Sequence, residues 1–541
     1  MRNRLTIRLS AVLAGALMLA TIAPMAVPVA AADVPGFAVQ QARLYAPDGQ
    51  ADDHFGANVA IDGDTLLVGA PAVGDDVGAA YVYVRADGMW SWQQTLAPST
   101  SASGDRFGYS VAIEGDTAVI GAPGRNGAKG DDAGLVYIFT RSGTVWTLQA
   151  TPHTLPEQIG GQLGTAVAIS GTTVLAGAPG IGTDSAGTAW VFTGSGAAWS
   201  NTGVLVDPDG VTGDRLGVCL DVSGDLALVS APGDDRGALA DAGSILAFAR
   251  SGGLWSFQQK FGAPTPVAGE QFGGPVDISD SGYTAIIGSP SHSGPEGDNT
   301  GCAYIYGRPF TTWNHHTTLT APTPTEEAWF GSDVALDGDT LALVGAFWDD
   351  AWTGSAYYFG WTGSAWAMQH KLDATSMDPG AALFGDSVAM SEGTAVIGAT
   401  LASSPDVAQS GSAFVYSTRG IVSGVCRDGT TGLPIAGVEI SAYVPDMYGE
   451  PVLASGTSLV FTDSQGRYSM SLDTGVYAIG WMDAIYPAGF YEGAVLYPDA
   501  TPVTVTAGAT TVVDLVLYKT KAKTFFRSYN RYHSKHWAPV R

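Results

Sequence analysis

The chain has 541 residues, with 51 acidic against 25 basic side chains and a formal net charge of −26, yet only 14% of its residues are charged. With 45% hydrophobic residues it is too apolar for a fully disordered polymer, and its 72 glycines follow no Gly-X-Y period, which excludes collagen. The acid excess argues against a nucleic-acid clamp on the main body and leaves a turn-rich, glycine-punctuated β protein.

Residues 1–32 read as a secretory signal. Arg2, Arg4 and Arg8 precede an apolar stretch from Leu9 to about Ala23, and Ala30-Ala31-Ala32 supplies a small-residue cleavage site. The stretch is short for a membrane anchor and is followed by Pro24 and Pro28. This predicts export, to the medium or the cell surface. Cys219, Cys302 and Cys426 are too few and too scattered for a disulfide framework or a zinc site, so they are expected as buried small hydrophobes.

From residue 39 a repeat takes over. A Phe-Gly or Leu-Gly pair opens each unit, at Phe55-Gly56, Phe107-Gly108, Leu163-Gly164, Leu216-Gly217, Phe272-Gly273, Phe330-Gly331 and Phe384-Gly385. About fourteen residues on comes Gly-Ala-Pro or a variant of it, from Gly69-Ala70-Pro71 to Gly398-Ala399-Thr400. A Gly then opens an apolar-aromatic run, as Gly78 does before AAYVYV, and a Trp-containing run follows, as in Trp146-TLQ. The first two runs of a unit are joined by tight turns such as Asp62-Gly63-Asp64, a hairpin signal. Four strands repeated seven times predict an all-β, seven-bladed β-propeller over 33–419. The seventh unit lacks an outer strand, and Val39-QQARLYAP matches the QQTLAP of 93–98, so residues 39–45 are expected to close the last blade.

Phe-Gly followed by Gly-Ala-Pro resembles the FG-GAP repeats best known from integrin α-subunit propellers. That resemblance implies the fold; the family's members include adhesion propellers and many secreted bacterial proteins, so it does not by itself name a function. In integrins the calcium-bearing blades carry a D-x-D-x-D-G type loop where this chain has only turns such as Asp62-Gly63-Asp64. Two carboxylates on so short a turn cannot supply the roughly six to eight oxygens calcium takes, so calcium is not expected there, and the chain resembles a short-turn bacterial subtype.

In a propeller the links between strands two and three share one face with the links between blades. Here the former carry Asp75, Asp76, Asp131, Asp132, Asp234, Asp235 and Asp298, and the latter Asp53, Asp105, Asp207, Asp209, Asp214 and Glu270. A wide negative face follows. Two readings stay open. The Asp side chains shape turns by accepting backbone N–H groups, or Asp75, Asp76, Asp131, Asp132, Asp234, Asp235 and Asp298 include a weak oxygen-ligated cation site, with Ca²⁺ the expected ion. For catalysis the eight histidines are scattered, His315-His316 should face opposite sides of a strand, and no nucleophile elbow or phosphate loop occurs.

Residues 420–518 alternate apolar and polar in short runs, predicting a small β-sandwich. GVCRDGTTGLPIAGVEI, TDSQGRYSM and GVYAI resemble the carboxypeptidase regulatory-like (transthyretin-like) domain, which is non-catalytic. The last residues, 519–541, interleave Lys519, Lys521, Lys523, Arg527, Arg531, Lys535 and Arg541 with five aromatics. Such a tail suits an anionic envelope polymer or membrane surface, or is a solvated, disordered end. The expectation is thus an exported binding protein for an unknown protein or glycan. The alternatives are a structural envelope component and, behind it, a propeller hydrolase or lyase.

Overall fold

The computed structural model describes residues 39–517 apart from 87–88, 99, 128–130, 153–158, 182–184, 296, 374–382, 418, 446–450, 454–459, 474, 483–488, 491–502 and 506–509. The leader and the basic tail, with Lys519, Lys521, Lys523, Arg527, Arg531 and Lys535, lie outside the described residues.

Residues 39–417 form repeated four-stranded antiparallel sheets, an architecture consistent with a β-propeller. Sheet I takes Asn58–Asp62, Thr65–Ala70, Ala79–Ala86 and Met89–Leu96 in chain order. Sheets II to VI repeat that order over 110–150, 167–205, 220–261, 276–319 and 334–373. Sheet VII combines Phe384–Ser391, Thr394–Ala399 and Ser412–Ser417 with Val39–Leu44 as its outer strand. The pairing of that strand runs from Val39 opposite Ser417 to Leu44 opposite Ala413. Among the described residues no helix is long and apolar enough to cross a membrane.

The repeat motif explains the packing between sheets. Its Phe or Leu is buried in every unit. Phe55, Phe107 and Phe330 meet Tyr81, Tyr137 and Tyr357 of the same sheet at centroid distances of 5.4, 5.1 and 5.3 Å. Each such ring contributes roughly 1.5–3 kcal/mol by leaving water. The next residue, Gly56 in sheet I, has φ +93°, a conformation open to glycine, and all seven equivalents repeat it within a few degrees. The Gly of Gly-Ala-Pro is needed for a different reason. A Cβ on Gly398 would lie 2.0 Å from the Gly56 carbonyl oxygen of the neighbouring sheet. The same approach, near 2 Å, recurs at Gly69, Gly121, Gly177, Gly288 and Gly345. Sheet therefore touches sheet through bare backbone. Parallel bridges such as Gly78 to Phe107 and Gly354 to Phe384 join successive sheets, and Phe55 to Gly411 joins the first to the last. The apolar core lies between sheets, so that Val396, Ala413 and Val415 of sheet VII pack with Phe55 and Val68 of sheet I.

Beyond residue 418, Arg419–Asp428 pairs antiparallel with Arg467–Asp473 and parallel with Thr510–Val512 and Leu515–Leu517. A second sheet is built on Glu439–Pro445 and Gly475–Met482. Val422, Cys426, Ile440, Met470, Ile479, Val503 and Leu515 form one core shared by the two sheets. Cys302 and Cys426 are buried and Cys219 is half-buried. Burial pushes the Cys219 and Cys302 thiols up to about 12.

Candidate binding face

An antiparallel four-strand unit puts its two hairpin turns at one end and its longer links at the other. The hairpin end is closed on itself. The N–H of Gly63 donates to Ser391 Oγ of sheet VII (3.1 Å), Gly115 to Asp62 (2.5 Å), Gly171 to Glu114 (2.5 Å) and Gly224 to Ser170 (3.0 Å). Ser223 Oγ then donates to the Asp280 carbonyl (3.1 Å), Ser279 and Ser281 Oγ to Asp339 (2.7 Å each), and the Gly393 N–H to Asp337 (2.5 Å). This chain of bonds visits every sheet and returns to its start. The first carboxylate of the Asp-Gly-Asp turn is spent on the neighbouring turn. In sheets I, II and IV the last carboxylate of the turn pairs within its own sheet: Asp64 with Arg85, Asp116 with Arg141 and Asp225 with Arg250, each at 2.6 Å. Those arginines also donate across the seam to Thr394, Thr65 and Thr173, and lie over Trp90, Trp146 and Trp255.

The link end has a constant backbone and changing side chains. Two residues before the Gly that opens the third strand, every sheet has a non-glycine residue at positive φ: Asp76, Asp132, Ser185, Asp241, Asn299, Trp352 and Gln409. The residue before each Phe/Leu-Gly does the same, from His54 to Leu383. Carbonyls of one link accept N–H groups of the next, as Asp76 does from Arg106, Asp132 from Gln162 and Asn299 from Trp329. Buried acids tie the entering link. Asp53 accepts the Gln50 N–H (2.6 Å), Asp105 that of Ala102 (2.8 Å) and Asp214 that of Val211 (2.7 Å).

Basic side chains fill the space between these acids. Arg125 pairs with Asp105 at 2.9 Å and His292 with the buried Glu270 at 2.7 Å. Lys371 bridges Asp349 (2.8 Å) and Asp350 (2.7 Å), and Lys260 bridges Asp207 (2.8 Å) and Asp234 (2.6 Å). Burial pushes the carboxyls of Asp207 and Asp214 above their usual range. Burial pulls the Lys260 ammonium down, but Asp207 and Asp234 together outweigh it and hold it above the usual lysine range.

The candidate cation ligands do not assemble as a set. Asp75, Asp131, Asp132 and Asp298 are exposed, and Asp76 is half-buried, on the links of three different sheets. Asp75, Asp76, Asp131, Asp132 and Asp298 use their carbonyls to hold the next link. Asp235 accepts the Asp241 N–H at 3.0 Å, the turn-shaping role. Only Asp234 joins an acidic cluster among the described residues, with Asp207 and Asp214, and Lys260 sits against two of its members. His315 and His316 face apart: one ring lies against Tyr304 and Tyr306, the other against Trp361.

The structure also brings out carboxyls that the motif analysis passed over. Asp221, Asp277, Asp333 and Asp386 sit at the innermost strands of sheets IV to VII. Asp221 accepts the Ile278 N–H of the neighbouring sheet at 2.8 Å. Burial raises both carboxyls, Asp221 and Asp277, above the usual carboxylate range, and the neighbouring Asp221 charge adds to this at Asp277. Asp277 also accepts the Leu336 N–H at 2.6 Å, and Asp333 that of Val388 at 2.7 Å, so these side chains satisfy the free edge of the next inner strand. Burial pushes Asp333 up to about 7. An acid raised in the folded state keeps its proton while the unfolded chain loses it, so stability falls as pH rises from about 4 to 7. Asp333→Asn should flatten that part of the curve of melting temperature against pH. An unchanged slope would show that Asp333 is ionised throughout. A short acidic position inside an apolar strand, as in LDVS or VDIS, was the only sequence signal for these residues.

The family model for the FG-GAP repeat matches residues 38–83, 90–139, 199–248, 255–306, 313–359 and 366–416, more than half of the chain. No curated protein matches. Among solved structures, a candidate 6-phosphogluconolactonase from Bacteroides fragilis is similar at 13% identity and a TM-score of 0.44, over 72% of this chain and 95% of that one.

Proposed function

The chain belongs to the FG-GAP repeat family, and from that premise we propose that it is an exported, non-catalytic binding protein whose link end recognises an extracellular protein or glycan. The observation that carries this reading is the contrast between the two ends. Hydrogen bonds close the hairpin end sheet to sheet, while the link end holds one backbone frame and varies what it displays. We read the sheets as seven blades of one closed, short-turn propeller. The unit that the family model passes over supports this, because Leu163 is buried, Gly164 has φ +90° and Gly134 bridges Leu163 as in the other units. Residues 420–518 are read as an accessory β-sandwich of the carboxypeptidase regulatory-like kind. The basic tail is read as the part that holds the protein to an anionic envelope polymer or membrane surface.

The test is affinity capture from surface extracts by the mature full chain. A captured partner should be lost on link-end substitution, such as Asp350→Asn with Glu327→Gln, and kept on the hairpin-end change Asp116→Asn. Copurification with insoluble envelope and no captured partner would instead indicate a structural component, and the same fractionation with 519–541 deleted tests the tail. The buried acids Asp221 and Asp277, both raised above the usual carboxylate range, give one specific reason to assay hydrolysis. Turnover of an ester or glycan panel that Asp277→Asn abolishes would replace the binding reading with an enzymatic one.

A further inference from the structure

One link differs from its six counterparts in a way the fold does not require. Sheet VI has Phe347 where five other sheets have Pro and the sixth Thr400. It has Trp348 where the others have Ala72, Gly124, Gly180, Gly233, Ser291 and Leu401. Trp329 replaces His54, Arg106, Gln162, Arg215, Gln271 and Leu383, and Trp352 replaces Asp76, Asp132, Ser185, Asp241, Asn299 and Gln409. Residues without an indole or phenyl ring thus support the same backbone elsewhere. Two of the four aromatics also occupy positive φ, Trp329 at 56° and Trp352 at 79°. A bulky side chain is costly there, and Asn or Asp would cost less.

The four rings form one cluster. Trp329 lies 5.9 Å from Phe347 and 5.4 Å from Trp348, and Trp348 and Trp352 stack at 5.0 Å with their planes 11° apart. Trp352 remains 62% exposed, so the pair ends in a free indole surface. The support beneath it is fixed: buried Asp349 accepts from Tyr357 Oη, from Thr325 Oγ1 (3.0 Å) and from Lys371 Nζ (2.8 Å). Asp350, on the same link, is exposed and carries Lys371 at 2.7 Å, and Glu326 and Glu327 are exposed on the link that enters the sheet.

We propose that this link is a carbohydrate platform, on which Trp352, backed by Trp348, stacks a pyranose ring of a neutral polysaccharide. It rests on the binding reading above and names the ligand class. The C–H face of a pyranose carries slight positive charge and fits the negative face of an indole. Its hydroxyls can donate to the Asp350 carboxylate on the same link, and the acid excess of the chain, a net −26, disfavours anionic polymers, phosphate included.

The experiment is calorimetric titration of the mature chain with neutral hexasaccharides of glucose, mannose, xylose and N-acetylglucosamine. At least one should bind. Trp352→Ala should weaken it by roughly tenfold or more, Trp352→Phe should retain part of the affinity, and Trp92→Ala, an exposed indole on the outer strand of sheet I, should change nothing. Failure of every hexasaccharide to bind overturns the proposal, as does undiminished binding by Trp352→Ala. So does binding of choline chloride in place of sugar, which would make the cluster a cation cage, or conversion of a dimer to a monomer by Trp352→Ala. If any of these occurs while affinity capture still returns a link-end protein partner, the binding reading survives and only the glycan assignment falls.

Discussion

Gly398→Ala should open the cycle of sheets where its two ends meet and lower stability by about 3 kcal/mol or more. Alanine suits the backbone conformation at residue 398, so the penalty is one of space. The new methyl would sit 2.0 Å from the Gly56 carbonyl oxygen and 2.3 Å from Ser387 Oγ, which itself donates to that carbonyl at 2.7 Å. Neither neighbour can retreat cheaply. The Gly56 carbonyl belongs to backbone that also bridges Phe55 to Gly411, and Phe55 is fully buried. Gly63→Ala is the control, because nothing lies within 4 Å of a Cβ there and only its φ of +53° is unfavourable. It should cost about 1 kcal/mol. Denaturant unfolding followed by near-ultraviolet circular dichroism would compare them. Equal losses for the two variants would mean that the seam between sheets VII and I yields, and that the close approach is not what holds it.

The same chemistry explains why so much of the architecture was legible. A glycine needed for close backbone approach recurs at fixed spacing whatever surrounds it, so the Phe-Gly and Gly-Ala-Pro positions stand out without any structure. The hydrogen-bond circuit of the hairpin end was not legible. Its partners, such as Gly115 and Asp62 or Gly393 and Asp337, are more than fifty residues apart and alternate between Asp, Glu and Ser. Nor was the division of labour among the acids. Asp53, Asp105 and Asp214 cap turns, Asp221 and Asp277 accept N–H groups of the next inner strand, and Asp75 and Asp131 serve through their carbonyls, although all are the same residue type in similar company. The aromatic cluster at Phe347 and Trp348 became visible only once the backbone equivalence of the links showed which residues it replaced.

Lys260→Met should bear directly on whether the link end holds a cation. Lys260 is about four-fifths buried and its Nζ lies 2.8 Å from Asp207 and 2.6 Å from Asp234, with Asp214 completing the acidic cluster. Methionine keeps most of the volume and removes the charge. Breaking a buried pair from one side costs about 3–5 kcal/mol, because the carboxylates left behind repel one another out of water. That corresponds to a fall in melting temperature of roughly 3–6 °C at neutral pH. The pH dependence has a definite sign. Asp207 and Asp214 already bind protons more tightly than in the unfolded chain, and without Lys260 they should do so more strongly. The deficit should therefore shrink as pH falls toward 4, where the folded variant takes up protons that the unfolded chain does not. A divalent cation offers the variant a second remedy. Ca²⁺ at 10 mM with a dissociation constant of about 1 mM would return about 1.4 kcal/mol. The native chain, with an ammonium already seated between the same oxygens, should gain much less. If Ca²⁺ stabilises both proteins equally, the ion binds elsewhere, and the exposed Asp75, Asp131, Asp132 and Asp298 become the places to look.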